Sequence, residues 1–205
     1  MRITLLLGLM CLTGNAFAQL SLTDSLLVDI KDSLQSPVLL PERMIFTQKL
    51  LWGHQGLMRT WMPLNRQNRQ KEFKIRRIMF NIHQASGLLT FAGMVAQGIV
   101  GSKMYSHYSD QLLRTHRTIA KGVNITYSLT ATMALTAPSA IVHRRGFSSA
   151  KIHRMLAVVH LLGMVTTNVL AHQITHRPEL KPYHRAAAYT TVGAFTTAIA
   201  VFQFR

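Results

Sequence analysis

The chain has 205 residues, enough for one domain or one small bundle but not for a multidomain enzyme. Hydrophobic residues make up 48% and charged residues only 15%, which excludes a disordered chain and leaves too little charge to cover an ordinary soluble domain. Lys and Arg number 23 against 7 Asp and Glu, a net charge of +16; the basic residues stand between apolar runs, the pattern of an integral membrane protein and not of a nucleic-acid binder.

Residues 1–19 have the form of a cleaved secretory signal: Arg2 for the positive start, an apolar stretch over 3–12, and the small-x-small site Ala16-Phe17-Ala18. The one cysteine, Cys11, lies inside it. The mature chain is therefore expected to lack disulfides, zinc–thiolate sites, iron–sulfur clusters and covalently attached haem. Histidine, carboxylate or neutral groups must hold any metal.

Residues 20–77 form a separate extracytoplasmic or interfacial region. Ser21 to Leu34 alternates with helical spacing, and Pro37 and Pro41 interrupt it. Pro41 is expected to open a second helix carrying Met44, Ile45, Leu50, Leu51, Trp52 and later Trp61, which fits either a helix on the membrane surface or a small soluble hairpin. Arg66 to Arg77 is a basic run, suited to anionic headgroups or to a solvated linker.

Four apolar segments follow, at 78–100 and about 119–137, 152–170 and 186–204. Each is close to the length of about 20 residues that crosses a bilayer as a helix. No acidic residue occurs from Phe73 to Ser109 or from Gln111 to Pro178. The second segment is the most polar, with Lys121, Asn124 and several threonines. Short connections predict an all-α, up-down-up-down integral membrane four-helix bundle over 78–205. The signal places 20–77 outside the cytoplasm, although the basic run and Arg144, Arg145, Lys151 and Arg154 would by themselves mark cytoplasmic faces. Following the signal, the expected location is a bacterial inner membrane.

Histidine opens each segment: His83, His116, His153 and His184, at intervals of 33, 37 and 31 residues. Three of them share the local frame His-Arg, with Arg117, Arg154 and Arg185. Each has a very small residue four positions on: Gly87, Ala120, Ala157 and Ala188. Positions i and i+4 share a helix face, so a flat space beside each imidazole is expected, as a porphyrin would need. Alternating topology puts His83 and His153 near one membrane face and His116 and His184 near the other. Two histidines can fill both axial positions of a haem iron, so two bis-histidine b-type haems are predicted, with Arg117, Arg154, Arg185 and Lys121 placed to offset propionates.

This arrangement resembles the cytochrome b561 superfamily, whose core is four consecutive membrane helices with one haem-ligating histidine each, paired between alternate helices. The resemblance covers about residues 78–205. His83-x-x-x-Gly87 with Gln97, and His160-x-x-Gly163, look like pieces of the family pattern. It implies His83, His116, His153 and His184 as ligands and electron transfer across the membrane as the activity, a transmembrane oxidoreductase if substrates are turned over at its faces. Equivalents of the family's substrate-site motifs are lacking, so the donor and acceptor stay open among a quinol, a small reductant and a redox protein. Membrane lipid and a second copy of the chain are the other expected partners; nucleic acid is not.

His160 lies two turns after His153, as an alternative ligand, a proton-path residue or a bonded core group. His172 and His176 make an i, i+4 pair without a third ligand. His54, His107 and His143 stand in polar surroundings. The competing functions are a haem-free membrane scaffold or assembly protein, and a small transporter-like module using Lys121, Asn124 and His160.

Overall fold

A computed structural model describes residues 38–141 and 148–203. The signal segment with Cys11, the stretch from Ser21 to Leu34, and His143, Arg144 and Arg145 lie outside the described residues. Those described form five α-helices: α1 Phe46–Trp52, α2 Arg66–Ser106, α3 Asp110–Thr136, α4 Ser149–Gln173 and α5 Lys181–Gln203. Two 3₁₀ turns, Leu57–Thr60 and Pro178–Leu180, connect them, and no strand occurs among the described residues.

The helix starts follow local chemistry. Asn65 caps α2 by accepting from the Asn68 amide at 2.8 Å, and Ser109 caps α3 by accepting from the Leu112 amide at 3.2 Å. Ser148 caps α4 in the same way. The expected helix start at Pro41 does not occur: Leu40 and Pro41 are buried, and α1 begins only at Phe46 with extended Ile45 as its cap.

α2 packs along α3, and α4 along α5, as two hairpins; α2 meets α5 between them at fewer points. The α2–α3 register is antiparallel. Ser86 shares a hydrogen bond with Thr130 at 2.7 Å and Thr90 donates to Thr126 at 2.8 Å. Gly93 lies so near Val123 that an added Cβ would stand 2.7 Å from its methyl. α4 and α5 meet closely at Gly163, where an added Cβ would stand 2.3 Å from Thr191 Oγ1. The core draws on every long helix through Met94, Val123, Tyr127, Met164 and Phe195.

Many large apolar side chains lie on the outer surface of the long helices. Leu88, Leu89, Ile99, Ile125, Val158, Leu162 and Val165 are exposed. α2 and α4 are long and apolar enough to cross a membrane. α3 and α5 are about 40 and 35 Å long, sufficient in length, but threonine dilutes both and Lys121 and Asn124 fall in α3.

The basic run from Arg66 to Arg77 is neither linker nor uniformly exposed: it forms the first turns of α2, which at 41 residues is about 62 Å long. Glu72 is fully buried and paired with Arg59 and Arg69. Arg69 also donates to the Ser139 carbonyl at 3.0 Å, and Arg76 to that of Pro138 at 2.6 Å. Arg59 donates to the carbonyls of Trp52, Gly53 and Met62. From the same segment, Thr47 Oγ1 and Trp52 Nε1 donate to the Leu135 and Thr136 carbonyls, at 2.7 and 2.8 Å, in the last turn of α3, where carbonyls lack helical partners. Residues 40–65 thus cap one end of the α2–α3 hairpin.

Candidate functional site

The four opening histidines stand as two pairs. The ring centres of His83 and His153 are 6.2 Å apart with planes at 77°. Those of His116 and His184 are 6.5 Å apart with planes at 70°. His83 lies well inside α2, because that helix starts at Arg66, while the other three sit in the first two turns of α3, α4 and α5. Each pair joins one helix of the first hairpin to one of the second.

Backbone carbonyls set the ring orientations. His83 Nδ1 is 2.9 Å from the Thr130 carbonyl, His153 Nδ1 is 3.0 Å from that of Ala198, and His184 Nδ1 is 3.0 Å from that of Thr167. A carbonyl only accepts, so in these three rings Nδ1 carries the proton and Nε2 of the neutral imidazole keeps its lone pair. A carbonyl that accepts from Nδ1 fixes both the tautomer and the direction of the ring, the form in which an imidazole can bind a metal through Nε2. His116 differs: its Nδ1 edge lies against Gly101, where an added Cβ would stand 3.2 Å from Cε1. Phe80 packs on His83 at 5.8 Å and Phe202 on His153 at 5.0 Å, and Arg76 stacks on Phe80.

The small residues serve different ends. Gly87 faces Thr130, with 3.6 Å from an added Cβ to the threonine methyl, so it belongs to the α2–α3 contact. Ala120, Ala157 and Ala188 are half-buried. Arg117, Lys121 and Arg154 are exposed, and Arg154 Nε reaches the Ala150 carbonyl at 3.4 Å. Arg185, also exposed, stacks on Tyr105 and Tyr189, 4.6 and 5.4 Å from the ring centres.

His160 Nδ1 shares a 2.8 Å hydrogen bond with the Tyr127 hydroxyl, and Phe195 packs on both rings. This aromatic layer occupies the core and was not legible as a unit in the sequence, since its members come from three helices. Asn124 and Asn168 exchange reciprocal amide bonds of 2.9 and 3.0 Å between α3 and α4. His54, His107, His172 and His176 are exposed. Among the described residues no group of three or more His, Cys, Asp or Glu converges as a metal site.

The ring separations can be compared with the span that one shared metal ion would require. Two imidazoles facing each other across a shared metal ion, each nitrogen about 2.0 Å from the ion and about 1.1 Å from its own ring centre, would have ring centres about 6.2 Å apart. Both observed separations fit that span. No protein-family model, curated protein or solved structure matches the chain.

Proposed function

We propose that the chain is a membrane b-type cytochrome of the cytochrome b561 kind. Its four long helices span the membrane, hold two bis-histidine haems and carry electrons from one face to the other. The observation that carries this reading is the spacing of the two histidine pairs, 6.2 and 6.5 Å. A pair suffices as protein ligand set because a porphyrin brings four nitrogens of its own.

His83 and His153 would hold one haem and His116 and His184 the other, each through an imidazole nitrogen. Bound haem supplies a one-electron iron couple. Thr130, Ala198 and Thr167 hold three of the rings through Nδ1 and leave Nε2 to bind iron. Phe80 and Phe202 pack against the rings of His83 and His153. Arg117, Lys121, Arg154 and Arg185 lie next to or one turn from their histidines in sequence, where they can meet propionates. The exposed apolar belt is the lipid contact, in an inner membrane with the capped end outside the cytoplasm. A quinol, a small reductant or a redox protein supplies or removes the electron at each face.

The test is a reduced-minus-oxidised spectrum with a haemochrome count on the detergent-purified chain. About two b-type haems per chain are expected. His116→Ala and His184→Ala should each remove the same haem, and His83→Ala and His153→Ala the other. Colourless protein from haem-sufficient cells refutes the proposal and favours a haem-free scaffold, which would use the exposed Phe46 and Trp61 of the cap to hold a partner.

A further inference from the structure

Three of the paired histidines are held by backbone carbonyls, and His116 is not. Its Nδ1 is buried and has no hydrogen-bond partner among the described residues. A second buried side-chain atom in the bundle shares that condition: Gln97 Oε1. The two are complementary. With Nε2 turned to a metal, His116 Nδ1 is a donor without an acceptor, and the amide oxygen is an acceptor without a donor.

The helix register brings them to one interface. Along α2 and α3, Ser86 meets Thr130, Thr90 meets Thr126, Gly93 meets Val123 and Gly101 meets His116. Continuing that stripe, Gln97 faces positions 119–120, one turn from His116 on α3 and one turn before Gly101 on α2. Gly101 has no side chain, so the imidazole lies down on α2 with its Nδ1 edge toward that helix: an added Cβ would stand 3.6 Å from Nδ1.

We propose that Gln97 is the positioning residue of the His116–His184 centre, its Oε1 accepting the His116 Nδ1 proton in place of a backbone carbonyl. This rests on the proposed haem ligation. The two centres then differ in kind. The His83–His153 centre is set by main chain that no substitution removes, whereas the His116–His184 centre is set on one side by a replaceable amide. Outer-shell partners of this type orient the ring and raise its basicity, and losing one typically weakens metal binding 10- to 100-fold.

The test is a redox titration of the full-length, haem-loaded protein in detergent, with the His116–His184 centre identified as the component lost in His116→Ala. Gln97→Glu places a carboxylate on the Nδ1 proton, makes the imidazole a stronger donor to ferric iron and should shift that component to lower potential. Gln97→Leu should shift it upward or release that haem 10- to 100-fold more readily. A tenfold change in the relative affinity for the two oxidation states corresponds to about 59 mV for one electron. The other component should stay in place in both variants. Should Gln97→Leu fail to accumulate, Gln97→Glu, which keeps the volume, decides alone. A two-haem protein whose His116 component ignores Gln97→Glu, or whose two components move together, overturns this proposal and leaves the proposed function standing. A colourless wild-type protein overturns both.

Discussion

Replacing Glu72 by Gln should release the cap from the helix bundle. The carboxylate is fully buried and lies between the guanidiniums of Arg59 and Arg69, which are themselves 9% and 2% exposed. Gln keeps the shape and removes the charge, so two buried cations lose their counter-charge together. Breaking a buried ion pair from one side costs about 3–5 kcal/mol. The low end applies, because Arg59 keeps the carbonyls of Trp52, Gly53 and Met62, and Arg69 keeps that of Ser139. A loss of about 3 kcal/mol raises the population of the opened cap about a hundredfold. Limited proteolysis in detergent reads this directly, since cleavage follows the open population when opening and closing are fast. Cleavage within 40–65 should accelerate by that factor while helical circular dichroism is retained. Lys71→Gln, an exposed change on the same helix, is the control and should shift stability by no more than about 0.5 kcal/mol. Unchanged cleavage in Glu72→Gln would refute the view that this cluster holds the cap.

Other consequences concern the bundle and its histidines. Gly163→Ala should cost about 1–3 kcal/mol by overpacking, because the new methyl meets Thr191 Oγ1, which is committed to the Ala187 carbonyl at 2.7 Å; adding Thr191→Ala should recover most of it in thermal unfolding. Asn124→Ala and Asn168→Ala should each destabilise the contact between hairpins by about 0.6–1.7 kcal/mol, and the double variant should be little worse than either, a coupling that a double-mutant cycle measures. Exchanging His153 for Ala should abolish the same spectral component as exchanging His83, with the other component intact in both; loss of different components would break the pairing.

The helices and the histidine pairing were legible because both depend on period. A run of about 20 apolar residues fixes the existence of a helix but not its ends, since α2 begins at Arg66 and α3 at Asp110, well before the apolar runs; short connections fix the direction, so alternate histidines fall at one level without any knowledge of packing. Two features of the histidine frame were not readable in this way. The acceptors for His83, His153 and His184 are main-chain carbonyls, which every residue carries and no residue type reveals. The role of Gly87 depended on register: once Ser86 meets Thr130, its neighbour Gly87 must turn to the same threonine instead of the space beside the imidazole. Gln97 stood in the sequence as a piece of the family pattern, but the burial of its Oε1 without a partner depends on packing that the sequence does not reveal.

The cap was illegible for a different reason. Arg66 to Arg77 has a composition equally suited to a linker and to a helix, and a buried arginine cannot be told from a solvated one by its letter. One sign was present. Glu72 is the only acidic residue between Pro63 and Ser109, with arginines three before and four after it, positions that share its helix face. A lone carboxylate among so many cations in an extended linker would gain little, since exposed pairs contribute about 0–1 kcal/mol. The same carboxylate on a helix that docks a second segment neutralises two cations drawn out of water, Arg59 and Arg69. What the buried Glu72 does for charge at the capped end, the Thr130, Ala198 and Thr167 carbonyls do for the imidazoles of His83, His153 and His184 within the bundle: each of these polar groups is placed opposite one that satisfies it. Helix period alone does not select those partners. The antiparallel register of α2 against α3, and the docking of residues 40–65 on their end, do.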